Sequence, residues 1–187
     1  MYFEQGHIYH IYNQGNNRQK IFFERENYLF FLKKMREYLL PYCDIIAYCL
    51  MPNHFHWMVE VNGVKIATHP MTLSHRMSER SLNDSIAIIL RSYTRAINKQ
   101  QNISGSLFRP KTKAECLTKP EGITPSFYHT QYGTMINTHQ PELEYPQICF
   151  DYIHQNSVKA NLVKDASDWE FSSCRDYAGL RNGTLIN

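Results

Sequence analysis

The sequence predicts an α+β domain, a ferredoxin-like antiparallel sheet with packed helices, and three observations carry that prediction. The apolar period switches between two and 3.6 residues in the order strand, helix, two strands, helix, strand, a split pattern unlike a parallel βαβ chain. Two of those strands are separated only by Pro52-Asn53, so they form an antiparallel pair. The 187 residues, 43% apolar and 13% aromatic, suffice for one core and exclude a mainly disordered chain. A single domain over 1–187 is expected, with its last helix carrying chemistry.

His7 to Tyr12 is β-branched and aromatic and reads as a strand, followed by a turn-rich NQGNNRQ. Tyr28, Leu29, Phe31, Leu32, Met35 and Leu39 recur at helical spacing until Pro41 stops the run. Asp44 to Leu50 reads as a buried strand, and His54 to Val61 alternates with period two. Val61 to Arg80 lacks periodicity and reads as a surface loop. Ser81 and Asp84 have capping-box spacing, and Leu82, Ile86, Ile89, Leu90, Tyr93 and Ile97 line one face of a helix to about Lys99. Gly105 to Leu117 reads as a strand with an irregular start at Pro110. Short helical pieces are expected near Phe127 to His139, and a last helix from about Pro146 to Val163.

The longest apolar run, Ile45 to Met51, is seven residues against the roughly 20 that a membrane crossing needs, so no membrane partner is expected. The opening MYFEQGHIYH lacks the basic end and apolar stretch of an export signal. Five cysteines without a CxxC pair argue against a disulfide framework and fit a reducing, cytoplasmic setting. Net charge is only +3, but from Arg91 to Pro120 seven Lys or Arg residues stand against one acid. Such a segment is either a solvated basic surface or a face for a polyanion, and Arg91, Arg95, Phe108, Arg109, Lys111 and Lys113 are its candidate nucleic-acid contacts, with Arg18 and Lys20 in the earlier turn.

HFHWMVEV is the most informative string. On a strand, His54, His56, Met58 and Glu60 share one face and Phe55, Trp57, Val59 and Val61 the other, which packs into the core. Two imidazoles at i and i+2 can converge on one divalent ion, or can simply hydrogen-bond on a half-buried strand. They make half a site, with Glu60 the other donor on the strand. The last helix offers Tyr152 and Asn156, one turn apart, a phenol that can attack and an amide oxygen that can ligate. Alternatively they are a core tyrosine and a polar last turn. The rival nucleophile, Tyr93, lies among apolar helical positions and reads as a packing residue.

CLMPNHFHWMVE resembles the HUH signature of single-tyrosine transposases, and DYIHQNSVKANLV with SDWEFSS resembles the carboxy-terminal block of REP-associated tyrosine transposases. YHIYNQGNNRQKIFF and GSLFRPKTK are also similar to that group, so the resemblance covers roughly His7 to Ser173. It implies the HUH endonuclease fold, His54, His56 and Asn156 as ligands of a divalent metal, Mg or Mn, and Tyr152 as nucleophile. It further implies nicking and strand transfer of single-stranded or hairpin DNA through a covalent phosphotyrosine. Because neither the strand nor the helix alone carries a complete ligand set, the two are expected to meet in one chain or across a homodimer. Two positions depart from the group's pattern: Ser157 stands where proline often follows the asparagine, and Asn161 where a glycine is usual. A DNA-binding protein of the same fold without catalysis, and an unrelated metallohydrolase using His54, His56 and Glu60, are the alternatives.

Overall fold

A computed structural model describes residues 1–68, 78–118, 127–131, 133–136 and 141–186. The strands β1 (Ile8–Gln14), β2 (Cys43–Met51), β3 (His54–Val61) and β6 (Lys113–Cys116) form one sheet, whose order β2-β3-β1-β6 has every neighbouring pair antiparallel. With α1 (Arg25–Tyr38) between β1 and β2 and α2 (Leu82–Gln101) before β6, this is the predicted ferredoxin-like arrangement. The expected capping box is present, Ser81 accepting from the Asp84 backbone.

The sheet is covered on both sides. Tyr9 and Ile11 of β1 and Phe55, Trp57, Val59 and Val61 of β3 face α1 and α2, packing against Phe31, Met35, Ile89 and Tyr93. On the opposite side α3 (Pro141–Lys159) lays Cys149 and Ile153 against Ala47, Cys49 and Met58. Burial of Ile153, with no exposed surface, fixes the rotation of α3 and so the direction of its neighbour Tyr152. The SDWEFSS segment closes the free edge of β2: Leu50 N–H donates to Phe171 O at 2.9 Å, and the Trp169 indole N–H to Leu50 O at 3.0 Å.

Several expectations are corrected. The expected loop between Val61 and Arg80 contains β4 (Lys65–Thr68) paired with β5 (Ser78–Ser81), short strands too polar to show a period, while 69–77 lie outside the described residues. The helical pieces expected near Phe127 to His139 are instead strands β7 (Phe127–Thr130) and β8 (Gly133–Ile136), with 132 and 137–140 outside the described residues. Gly133 there has φ 126°, which no helix contains. Of the strand expected over Gly105 to Leu117 only Lys113–Cys116 is regular, because Pro110 has no N–H for the ladder. Helix α3 starts at Pro141 rather than Pro146, which sits inside it and forfeits one backbone bond. It stops earlier than expected, at Lys159, in a Schellman cap: Leu162 N–H donates to Ser157 O and Asn161 N–H to Val158 O, with Asn161 at φ 55°. Asparagine tolerates that left-handed position, so the departure from glycine leaves the helix end intact.

Candidate functional site

The β1–β3 register sets Gln14 opposite His54, Tyr12 opposite His56 and His10 opposite Met58. Alternation then puts His10, Tyr12, His54 and His56 on the face that α3 crosses. The Tyr152 ring stands 5.4 Å from that of His56 and 6.3 Å from that of His10, nearly perpendicular to both, and remains 40% exposed. The strand histidines and the helical tyrosine therefore meet within one chain, and the Lys159 ammonium lies 5.1 Å from the Tyr152 ring centre.

Each imidazole has one nitrogen engaged. His54 Nδ1 donates to Asn53 Oδ1 at 2.6 Å, and its ring lies beside the Asn156 side chain. His56 Nδ1 faces His10 Nε2 at 2.8 Å, while its Nε2 is buried without a hydrogen-bond partner. Asn156 is 8% exposed and spends its Nδ2 on Tyr152 O at 2.9 Å, which leaves the amide oxygen as the end facing His54. Burial first, and then the neighbouring His10 and His54, push His56 down to about 2, so it stays neutral at any ordinary pH. His10 and His54 are also lowered by burial. Neutral imidazoles that line one cavity, each with one nitrogen held, beside an amide oxygen, are a donor set that fits a divalent ion. Among the described residues no three His, Cys, Asp or Glu side chains converge on one point, so the amide oxygen and substrate or water oxygens would have to complete the shell. Glu60 cannot, being exposed and four residues beyond His56, about 13 Å along the strand.

Two cavities flank Tyr152. One, of about 270 Å³, is lined by His54, His56 and Tyr152 together with Arg109, Lys111 and Lys113. It continues through Arg109 and Lys111 into a groove of about 780 Å³ between α2 and the 105–112 segment, where Arg91 and Arg95 join them. Among the described residues none of these five cations is in an ion pair, so the groove is a continuous positive track leading to Tyr152. Arg18 and Lys20 are exposed near the β2–β3 turn and line neither space. Phe108, expected as a stacking surface for bases, is 5% exposed and packs among Phe31, Phe55 and Tyr93. Tyr93 is fully buried, its hydroxyl donating to Ile21 O at 2.8 Å.

The sequence reading missed His10, Tyr12 and Lys159. The alternation HIYHIY already places His10 and Tyr12 on one face of β1, but which residues of β3 they oppose depends on the register.

No protein-family model matches the sequence, and no curated protein matches it. In structure, the chain is similar to the REP-associated tyrosine transposase bound to a REP hairpin. The likeness has a TM-score of 0.57 at 19% sequence identity and covers 100% of this chain and 92% of that one. It establishes a shared α+β fold over the whole length. Among the described residues no helix is long and apolar enough to cross a membrane.

Proposed function

We propose that this protein is a metal-dependent nicking and joining enzyme for single-stranded or hairpin DNA, with Tyr152 as nucleophile and His54, His56 and Asn156 as metal ligands. The observation that carries the reading is that His56, whose buried Nε2 has no hydrogen-bond partner, has its ring 5.4 Å from that of an exposed tyrosine in a cavity lined by Arg109, Lys111 and Lys113. The fold shared with a hairpin-bound tyrosine transposase supports it.

Arg91, Arg95, Arg109 and Lys111 bind the backbone of the strand, and Lys113 holds it beside Tyr152. The phenolic oxygen bonds to phosphorus as the bond from phosphorus to one deoxyribose oxygen breaks, and the phenolic proton passes through water to the departing oxygen. Lys159 stabilises the charge that develops on the phenol. The phosphotyrosine retains the bond energy, so attack by a second strand's hydroxyl restores the phenol and joins the ends without another energy source. His54, His56 and Asn156 would hold a divalent ion, Mg or Mn, which would supply neutralisation of the phosphate charge.

The test is incubation with labelled hairpin and single-stranded oligonucleotides and Mg or Mn, followed by denaturing electrophoresis. A protein–DNA adduct that survives denaturation and needs the metal is expected. Salt-sensitive binding with no adduct under either metal would leave a DNA-binding protein of this fold and overturn the catalytic reading.

A further inference from the structure

On the other side of Tyr152 lies a cavity of about 360 Å³ whose lining has the opposite character. No Lys or Arg lines it among the described residues; its walls are Tyr12, Tyr145, Ile148, Cys149 and Tyr152 beside the neutral His10 and His56, with the Glu115 carboxylate the one charged group. We propose that this cavity receives the nucleobase next to the scissile phosphate and prefers bases whose exocyclic amine stands where thymine has its O4 carbonyl, cytosine or adenine, over thymine. The proposal rests on the DNA-processing reading above and assigns the substrate's base side.

Tyr145, Ile148 and Tyr152 follow each other at i, i+3 and i+7 on α3, a stripe 44%, 52% and 40% exposed. On a helix whose other face is buried under the sheet, large apolar side chains left in solvent beside a nucleophile offer a flat base somewhere to stack. The two cavities share Tyr12, His56 and Tyr152, so a strand with its phosphate at the Tyr152 hydroxyl lays its backbone toward Arg109, Lys111 and Lys113 and its base toward Tyr145. A carboxylate would repel a phosphate there, which leaves the base as the fitting occupant. Glu115 accepts from the Tyr12 hydroxyl at 2.5 Å, which holds the carboxylate at the cavity. A carboxylate can only accept, so at that edge it rewards the amine of cytosine N4 or adenine N6 and opposes the O4 carbonyl that thymine presents in the same place.

The test is fluorescence anisotropy with labelled oligo-dC, oligo-dA and oligo-dT of equal length, without metal, so that no adduct forms. Wild-type protein should bind oligo-dC and oligo-dA about tenfold more tightly than oligo-dT. Glu115→Gln keeps an acceptor for Tyr12 but can donate as well as accept, so the preference should collapse. Tyr145→Ala should weaken all three strands about fivefold or more through lost stacking. Equal wild-type affinities, a preference that survives Glu115→Gln, or unchanged binding by Tyr145→Ala would each overturn the base pocket. Failure of the wild type to bind any strand would instead remove the proposed function itself.

Discussion

His10 Nε2 and His56 Nδ1 lie 2.8 Å apart in the interior, joining β1 to β3 beneath Tyr152. If His10 accepts, His56 carries its proton on Nδ1 and keeps the unpartnered Nε2 lone pair free, the tautomer a metal ligand requires. His10→Phe should therefore weaken Mn binding, measured by titration calorimetry, by about ten- to a hundredfold. His10→Gln, whose amide oxygen can still accept, should recover most of the loss. Equal Mn affinity for wild type and a folded His10→Phe protein would show that the histidine pair is packing only.

The ligands themselves should differ in weight. His56→Ala should abolish metal-dependent cleavage while leaving DNA binding intact, because Arg and Lys contacts elsewhere supply the affinity. Asn156→Ala should be milder, since a neutral amide is a weaker donor that water can replace. A larger loss of Mn affinity in Asn156→Ala than in His56→Ala would reverse that ranking.

Binding should weaken steeply with salt. Each phosphate neutralised on a single strand contributes about 0.7 to the log–log slope. Arg109 and Lys111 line both the groove and the cavity beside Tyr152, so replacing them together with Lys113 by alanine should flatten the slope by about 2. An unchanged slope would place the DNA track on another surface.

How far the sequence leads depends on whether a feature is local. His54–Val61 is legible to the residue because a turn and a clean period bound it, and Tyr152 with Asn156 because one helical turn relates them. The third histidine is not, since His10 reaches His56 only through a strand register that no local pattern encodes. Phe108 misleads for the converse reason: the basic residues around it are exposed, yet its own ring turns into the core shared with Phe31 and Phe55. The Phe127–Ile136 hairpin lacks any alternation strong enough to outweigh a helical reading, and only Gly133 betrays it.

Acid should unfold the protein earlier than its carboxylates alone would. Burial holds His154 down to about 4 and His56 down to about 2, while both titrate near 6.5 when unfolded. Below pH 6.5 the unfolded chain takes up protons that the folded one refuses, so stability falls as pH falls, by about 1.4 kcal/mol per unit for each such histidine. Urea midpoints should be flat from pH 8 to 7 and drop between 6.5 and 5. A midpoint constant down to pH 5 would mean that these imidazoles are not held neutral.

The last prediction separates two tyrosines that the sequence offers as nucleophiles. Tyr152 is 40% exposed, shares a cavity with Arg109, Lys111 and Lys113, and has Asn156 one turn away. Tyr93 is fully buried, and burial pushes its hydroxyl far above the ordinary phenol range. Tyr152→Phe removes one hydroxyl at a solvent-facing position and should abolish the covalent adduct while leaving the melting temperature, Mn affinity and DNA affinity near wild type. Tyr93→Phe should do the reverse: the Ile21 carbonyl loses its donor in the core, costing about 1–3 kcal/mol of stability, while the adduct forms as before. Adducts from Tyr152→Phe but not from Tyr93→Phe would transfer the nucleophile to a buried residue and contradict the geometry. Adducts from both, and from the double substitution, would end the tyrosine mechanism altogether.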